Sequence, residues 1–363
     1  MKQEEKKKLG NKISKKRKLL VYSQENPVTD TEKLKILQKK EHLTLEEWYH
    51  LWMEEYKSVT VKKGTLESYE CMFQYYIGPR FGNRLLTEIC GEEIQYFYNE
   101  MSRSGYSDAT LALIHVLVGS MFKQAYRMGK IEKNPAEFII VPRGTAGKEP
   151  RALSIDQQEL LQQYAHRHEI EGIIVIALTT GMRIGEITGL EWKNIDLKKK
   201  EIYVSGTLKY TRTGVFFKDS PKTRSSRRII PMLPKARQMF ERIRDVQYYE
   251  KTAEKDTWKP IKGLENLIFL RRNGIPFTGQ HIRQQLNHIT DQINEEHPEA
   301  KIGHISPHIL RHTFATRALE QGMTPKVVQE ILGHSSITMT MDLYTHVLPQ
   351  MRVEEIRKLE QCF

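Results

Sequence analysis

The ten residues Val141-Pro142-Arg143-Gly144-Thr145-Ala146-Gly147-Lys148-Glu149-Pro150 constrain the fold more than any other stretch. Two prolines and two glycines stand among them without apolar periodicity, so no regular element runs through. The 363-residue chain is thereby divided into two parts joined by a linker. Apolar residues make up 39% of it, enough for each part to bury a core of its own.

Before the linker every periodic signal is helical. Thr44-Leu45-Glu46-Glu47 has the form of a capping box, and Trp48, Leu51, Trp52 and Tyr56 follow on one helical face. Further helices are expected around 65–76, 90–102 and 108–128, with Gly78-Pro79 and Gly105 as punctuation. Strand-like alternation is absent, so 44–142 reads as an all-helical domain. After the linker (143–150), the segment 151–350 is mixed. Ser154-Ile155-Asp156-Gln157 opens a helix, and an apolar helix is expected from Ile170 to Thr180, stopping at Gly181. Glu201 to Ser205 reads as a strand with Val215–Lys218 and Arg228–Met232 as its partners. An irregular polar segment comes next, then a helix marked by Ile282, Leu286, Ile289 and Ile293. Ser306-Pro307 and Thr324-Pro325 start two more helices, ending near Gly322 and Gly333, and a last helix covers Tyr344. The expected fold class is mainly α with a small antiparallel β-sheet.

Charge and cysteine content bound the function. The net charge is +12, and residues 1–20 alone hold nine Lys or Arg against Glu4 and Glu5. The stretch 1–43 is either a solvated basic arm or an arm that seeks a polyanion, and a pI near 9.3 favours nucleic acid over acidic small molecules. Three cysteines without CxxC spacing make no disulfide framework, which places the chain in a reducing, cytoplasmic compartment. The longest apolar run, Ile173 to Leu178, is far below the ~20 residues of a membrane span, so no membrane partner is expected.

Four short clusters carry chemistry. In Thr180-Gly181-Met182-Arg183-Ile184-Gly185-Glu186, Arg183 and Glu186 share a helical face, so the carboxylate can steady the guanidinium. Alone, that is a common solvated ion pair; directly after an apolar helix, it also suits a partly buried arginine. Lys222, Arg224, Arg227 and Arg228 lie in Pro221-Lys222-Thr223-Arg224-Ser225-Ser226-Arg227-Arg228, a hairpin connection that is either a soluble basic turn or a tip reaching into a DNA groove. His308 and Arg311 of His308-Ile309-Leu310-Arg311-His312 stand on one face at a helix N-terminus, where an anion is favoured. His304, His308 and His312 recur every four residues, as zinc ligands do, but the glutamate of HExxH is missing and Ser306-Pro307 starts the helix after His304, so no metal is expected. Leu332-Gly333-His334 leaves His334 at a helix stop, ten residues before Tyr344-Thr345-His346. A lone helical tyrosine is ordinarily just a core or surface aromatic.

Jointly these residues suit attack on a phosphodiester. Two arginines provide planar forks for the non-bridging oxygens, as charge-assisted hydrogen bonds of about 1.5–3 kcal/mol each. A hydroxyl can form a covalent ester, and placed acids or bases contribute about 10²–10⁴-fold each.

In order and spacing, TGMRIGE, PKTRSSRR, HILRH, LGH and YTH resemble the tyrosine recombinases, the phage integrase family, over about 151–350. The preceding helical domain is similar to that family's core-DNA-binding domain. Among members, the chain looks most like integrases of conjugative transposons and temperate phages of Gram-positive bacteria. The resemblance implies that Arg183 and Arg311 clamp the scissile phosphate and that Tyr344 attacks it, forming a 3′-phosphotyrosyl link and freeing a 5′-hydroxyl. It further implies Lys222 as general acid for the leaving oxygen, His308 as the aid to proton transfer, His334 as a phosphate hydrogen bond and Glu186 as an orienting group. It implies no cofactor, neither ATP nor a divalent metal. Implied partners are double-stranded DNA attachment sites, a homotetramer exchanging strands through a Holliday junction, and excisionase or DNA-bending accessory proteins. Larger integrases of this kind carry an N-terminal arm-binding domain with a three-stranded sheet, for which 1–43 is too short and strand-poor. The tail 351–363 either packs on a neighbouring protomer, as family tails do, or forms a short amphipathic helix on its own domain.

The expected function is site-specific recombination that integrates and excises a mobile element. A housekeeping recombinase resolving chromosome dimers would use identical chemistry, and a type IB topoisomerase the same cluster without a tetramer. A non-catalytic DNA-binding repressor would keep the basic surfaces and have no need of Tyr344.

Overall fold

A computed structural model of the chain describes residues 43–142, 152–211, 214, 216–219, 227–253 and 257–343. It divides into two compact units, Met1–Lys148 and Glu149–Phe363.

The first unit is helical. Helix α1 (Leu45–Trp52) is started by Thr44, whose hydroxyl accepts from the Glu47 amide while the Glu47 carboxylate accepts from the Thr44 amide. Its Trp48, Tyr49 and Trp52 are buried, and the Trp48 indole donates to the carbonyl of Met121. Tyr49 stacks on Phe73 with ring centroids 3.7 Å apart. Helix α2 (Lys63–Met72) continues through a π turn (Phe73–Ile77) into a last turn, Gly78–Phe81. Gly78-Pro79 therefore does not punctuate the chain as expected. The Gly78 amide bonds to Phe73, a wider turn that lets a residue lacking an N–H follow without leaving the helix. Helices α3 (Gly91–Arg103) and α4 (Asp108–Arg127) complete the unit, their Ile94, Tyr98, Leu111 and Ile114 facing its core.

The second unit is built around a helix buried on every side. After α5 (Ile155–Ala165), capped by the Ser154–Gln157 box, α6 (Glu171–Thr180) buries Ile173, Ile174, Val175, Ile176 and Ala177 in succession. An all-round apolar helix needs cover on all faces, and α6 has it from α5, from α8 (Pro234–Ala253) and from α10 (Pro307–Glu320). Gly181 ends α6 with φ +63°, and α7 (Ile184–Thr188) starts three residues on.

The sheet chains antiparallel strands β1 (Ile195–Asp196), β2 (Glu201–Val204) and β5 (Arg228–Pro231) in that order, with Ile202 opposite Ile230. The expected second partner of β2 is elsewhere. β4 (Phe216–Asp219) pairs with β3 (Thr207–Tyr210) in a separate ribbon. The chain leaves the sheet after Val204, and β3 is held against α7, where a Cβ at Gly189 would stand 2.8 Å from the Leu208 nitrogen. The polar stretch expected to be irregular contains the 20-residue α8, whose buried residues are Ala236, Met239, Phe240 and Gln247, with half-buried Ile243 beside them. Helices α9 (Gly279–Glu296) and α11 (Pro325–Leu332) belong to the same unit, and residues 338–343 are helical again. No helix among the described residues is long and apolar enough to cross a membrane.

Candidate active site

The C-terminal end of α6, the start of α7, β5, α10 and the end of α11 meet at one place. Gly181 makes the meeting possible: it takes the left-handed turn, and a Cβ there would lie 2.4 Å from Phe314 and 2.5 Å from Leu332. The chain then turns so that Arg183 caps α7. The Arg183 amide donates to Glu186 Oε2 at 2.9 Å and its Nη1 to Glu186 Oε1 at 3.1 Å. The same carboxylate receives Arg228 from β5, Nη1 to Oε1 at 3.1 Å and Nη2 to Oε2 at 2.9 Å. From α10, Arg311 donates to the carbonyls of Gly181 (2.8 Å) and Leu332 (2.9 Å).

The three guanidiniums share a second anchor. The last carbonyls of a helix have no partner within it and carry its negative dipole end. At the end of α11, Ile331 accepts from Arg228 Nε, Leu332 from Arg311 Nη2 and Gly333 from Arg183 Nη2. Three consecutive orphan carbonyls thus register three arginines drawn from three other elements.

The electrostatic balance of the cluster is positive. Burial pushes the Glu186 carboxyl up, but the hydrogen bonds and charge of Arg228, then those of Arg183, hold it below the usual carboxylate range. Arg311, only 6% exposed, is pushed down to about 9 by burial first and by Arg183 second, with Glu186 as the opposing influence. It remains a cation at neutral pH, and an incoming anion would relieve the strain of its charge. His334 is buried, its Nδ1 2.9 Å from the Thr340 hydroxyl and its amide bonded to Gln329. Burial, then Arg311 and Arg183, push it down to about 4, so it is a neutral imidazole. His308, on the exposed side of α10, is lowered by desolvation and then by Arg311 and Arg183.

Such a positive cluster of forks and imidazoles has the donors to receive a tetrahedral anion. Residues 151–351 match the phage integrase family, and residues 44–102 match the phage integrase N-terminal SAM-like domain. The chain belongs to the phage integrase family. This integrase-family chain is 27% identical over 308 residues to the transposase of transposon Tn916 from Enterococcus faecalis, covering 83% of this chain and 74% of that protein. It is 26% identical over 337 residues to a XerC-like tyrosine recombinase of Caldanaerobacter subterraneus, covering 88% and 84%. Its fold matches the integrase of transposon Tn1549, solved in complex with transposon right-end DNA. That likeness has a TM-score of 0.74 and 28% identity, over 88% of this chain and all of that one.

The structure brings Arg183, Glu186, Arg311 and His334 together, with His308 beside them. Lys222, Arg224 and Tyr344 lie outside the described residues; of the helix expected over Tyr344, residues 338–343 are described and are helical. Arg227 is exposed at the edge of β5. Arg228 departs from the sequence reading, which places it among the groove-reaching arginines. Its side chain is 7% exposed and its guanidinium is spent on Glu186 and Ile331, so it faces inward. The strand period contained that signal: Arg228 and buried Ile230 are two apart, on the face opposite exposed Ile229. Thr340 and Gln329, which hold His334, had no signal in spacing, since each meets it through a turn. His304 precedes α10, so only His308 and His312 have helical i,i+4 spacing.

Proposed function

We propose that this chain is the integrase of a mobile element, a tyrosine recombinase that cuts and rejoins double-stranded DNA at attachment sites. The observation that carries the reading is the arginine cluster. Arg183 and Arg311 are immobilised by backbone carbonyls and Glu186 before any substrate arrives, and their charge exceeds what Glu186 offsets. Preorganised donors of this kind stabilise charge that develops in a transition state. A five-coordinate phosphorus carries more negative charge than the diester it comes from, so the site favours it over the ground state.

In this mechanism the Tyr344 oxygen attacks phosphorus, passing its proton toward His308, which is neutral because of its surroundings. The bond from phosphorus to the 5′ oxygen breaks, Lys222 protonates that oxygen, and a 3′-phosphotyrosyl ester remains. The ester keeps the bond energy of the linkage, so the free 5′-hydroxyl of another strand reverses the step without ATP. Neutral His334, its Nδ1 accepting from the Thr340 hydroxyl, donates its single N–H, on Nε2, to a phosphate oxygen. Arg224 and Arg227 contact the DNA backbone, and residues 44–142 form a core-DNA-binding domain. Four copies act on two synapsed duplexes in the bacterial cytoplasm, with accessory proteins biasing direction. The similarity to the Tn916 transposase and the Tn1549 integrase supports a mobile element as the source.

The test is covalent capture. Wild-type protein selects its site from a library of nicked random-sequence duplexes by forming an adduct on it. Tyr344→Phe is expected to bind the selected DNA with unchanged affinity and to form no adduct. An adduct formed by that variant would move the nucleophile to another residue.

A further inference from the structure

We propose that Arg228 is a positioning residue of strand cleavage: it aims Arg183 through Glu186 and locks the end of α11, without touching the DNA. The inference rests on the recombinase reading above and adds a residue to its machinery.

Three observations carry it. First, the Arg228 fork meets Glu186 in two parallel hydrogen bonds, and both Glu186 oxygens are at the same time the acceptors of Arg183. Arg183 is about one third exposed and is free to swing unless its carboxylate is held; Glu186, 4% exposed, is held by Arg228. Second, the third side of the same guanidinium donates to Ile331, and its stem passes over Gly333, where a Cβ would lie 3.1–3.3 Å from Arg228 atoms. Gly333 has φ +67° and its carbonyl is the other anchor of Arg183. Arg228 thus holds both supports of Arg183. Third, the side chain sits on β5, immediately after the segment that carries Lys222. Strand, helix end and clamp are therefore registered by one planar group.

A guanidinium alone meets this demand. Lysine offers a point charge and cannot serve two carboxylate oxygens and a carbonyl in one plane. A small misplacement of a reacting group costs about 10²-fold in rate. Removing the charge also exposes Glu186 to titration. Glu186 is faced by Arg183 from its own turn, Arg228 from β5 and Arg311 from α10, while His308, His312 and His334 lie against those arginines. Burial pushes its carboxyl up and Arg228 is the first influence opposing that. Without Arg228 it takes a proton as pH falls, and a protonated carboxyl no longer accepts from both the amide and Nη1 of Arg183.

The experiment measures single-turnover adduct formation on the captured nicked duplex, DNA affinity and thermal melting, across mildly acid to mildly alkaline pH. Arg228→Gln is expected to bind DNA as wild type does and to cleave about 10²-fold more slowly, with the loss deepening toward acid pH. Arg228→Lys is expected to remove most of that acid dependence while leaving the rate low, and Glu186→Gln added to Arg228→Gln to flatten the profile. If Arg228→Gln does not fold, Glu186→Gln combined with Arg228→Gln, which removes both buried charges together, is measured in its place. A low rate at unchanged affinity supports the proposal, and a wild-type rate overturns it. Rate and affinity falling in parallel with an unaltered pH profile would also overturn it, leaving Arg228 a purely structural ion pair. Absence of capture by the wild-type protein would instead sink the recombinase reading; capture by wild type and Arg228→Gln alike overturns only the role of Arg228.

Discussion

Replacing Arg311 by lysine keeps a positive charge in the site and removes its geometry. A guanidinium has five N–H donors; two of those of Arg311 are committed to the carbonyls of Gly181 and Leu332. Three remain to face a phosphate. Lysine has three donors in all, and the same carbonyls, one after α6 and one at the end of α11, take two of them. One donor is left where the wild type has three. Loss of one preorganised donor to a developing oxyanion costs about 10²–10³-fold in rate, so Arg311→Lys is expected to cleave at least about 10²-fold more slowly. Affinity for duplex DNA is spread over many phosphate contacts and is expected to change by less than about tenfold. Single-turnover adduct formation at saturating protein, with anisotropy titration at fixed salt, separates the two, and melting confirms that the buried cation is tolerated. A cleavage rate within tenfold of wild type would refute the donor count. Equal losses in rate and affinity would make Arg311 a plain phosphate anchor.

Other consequences follow from the same packing. Gly181→Ala places a methyl group within 2.4 Å of Phe314 at φ +63° and is expected to lower stability by about 2–4 kcal/mol, read by urea unfolding. His334 is held neutral with its pKa near 4, while the unfolded chain takes that proton near 6.5. Stability is therefore expected to decline as pH falls from about 6.5 toward 4. His334→Asn should lessen that decline without abolishing it, because His308 and His312 are lowered in the same direction; an unchanged slope of unfolding free energy against pH would contradict the burial of the ring. Deleting residues 2–20, with their nine Lys and Arg, should flatten the salt dependence of DNA affinity by about 0.9 in log–log slope per lost phosphate contact. An unaltered slope would mean that the arm makes none.

Much of the fold was legible because its signals are local. Thr44, Ser154 and Thr324 announce helix starts through bonds or prolines within three residues, and Gly181 and Gly333 announce stops by the left-handed turn they adopt. Helix α8 was not legible: a surface helix with four buried residues in twenty looks like a polar loop. The pairing of β4 with β3 was also hidden, since alternation marks a strand without naming its neighbour.

The sequence by itself determined which residues can do phosphoryl chemistry and where the helices bearing them begin and end, because spacing and caps act over one turn. Only the tertiary structure decided what each arginine does. Arg183, Arg228 and Arg311 are the same side chain in sequence. Each acquires its part from which carbonyl at the end of α11 it meets and how Glu186 is shared. Those carbonyls lie 21 to 150 positions away along the chain, a distance over which no local pattern carries information.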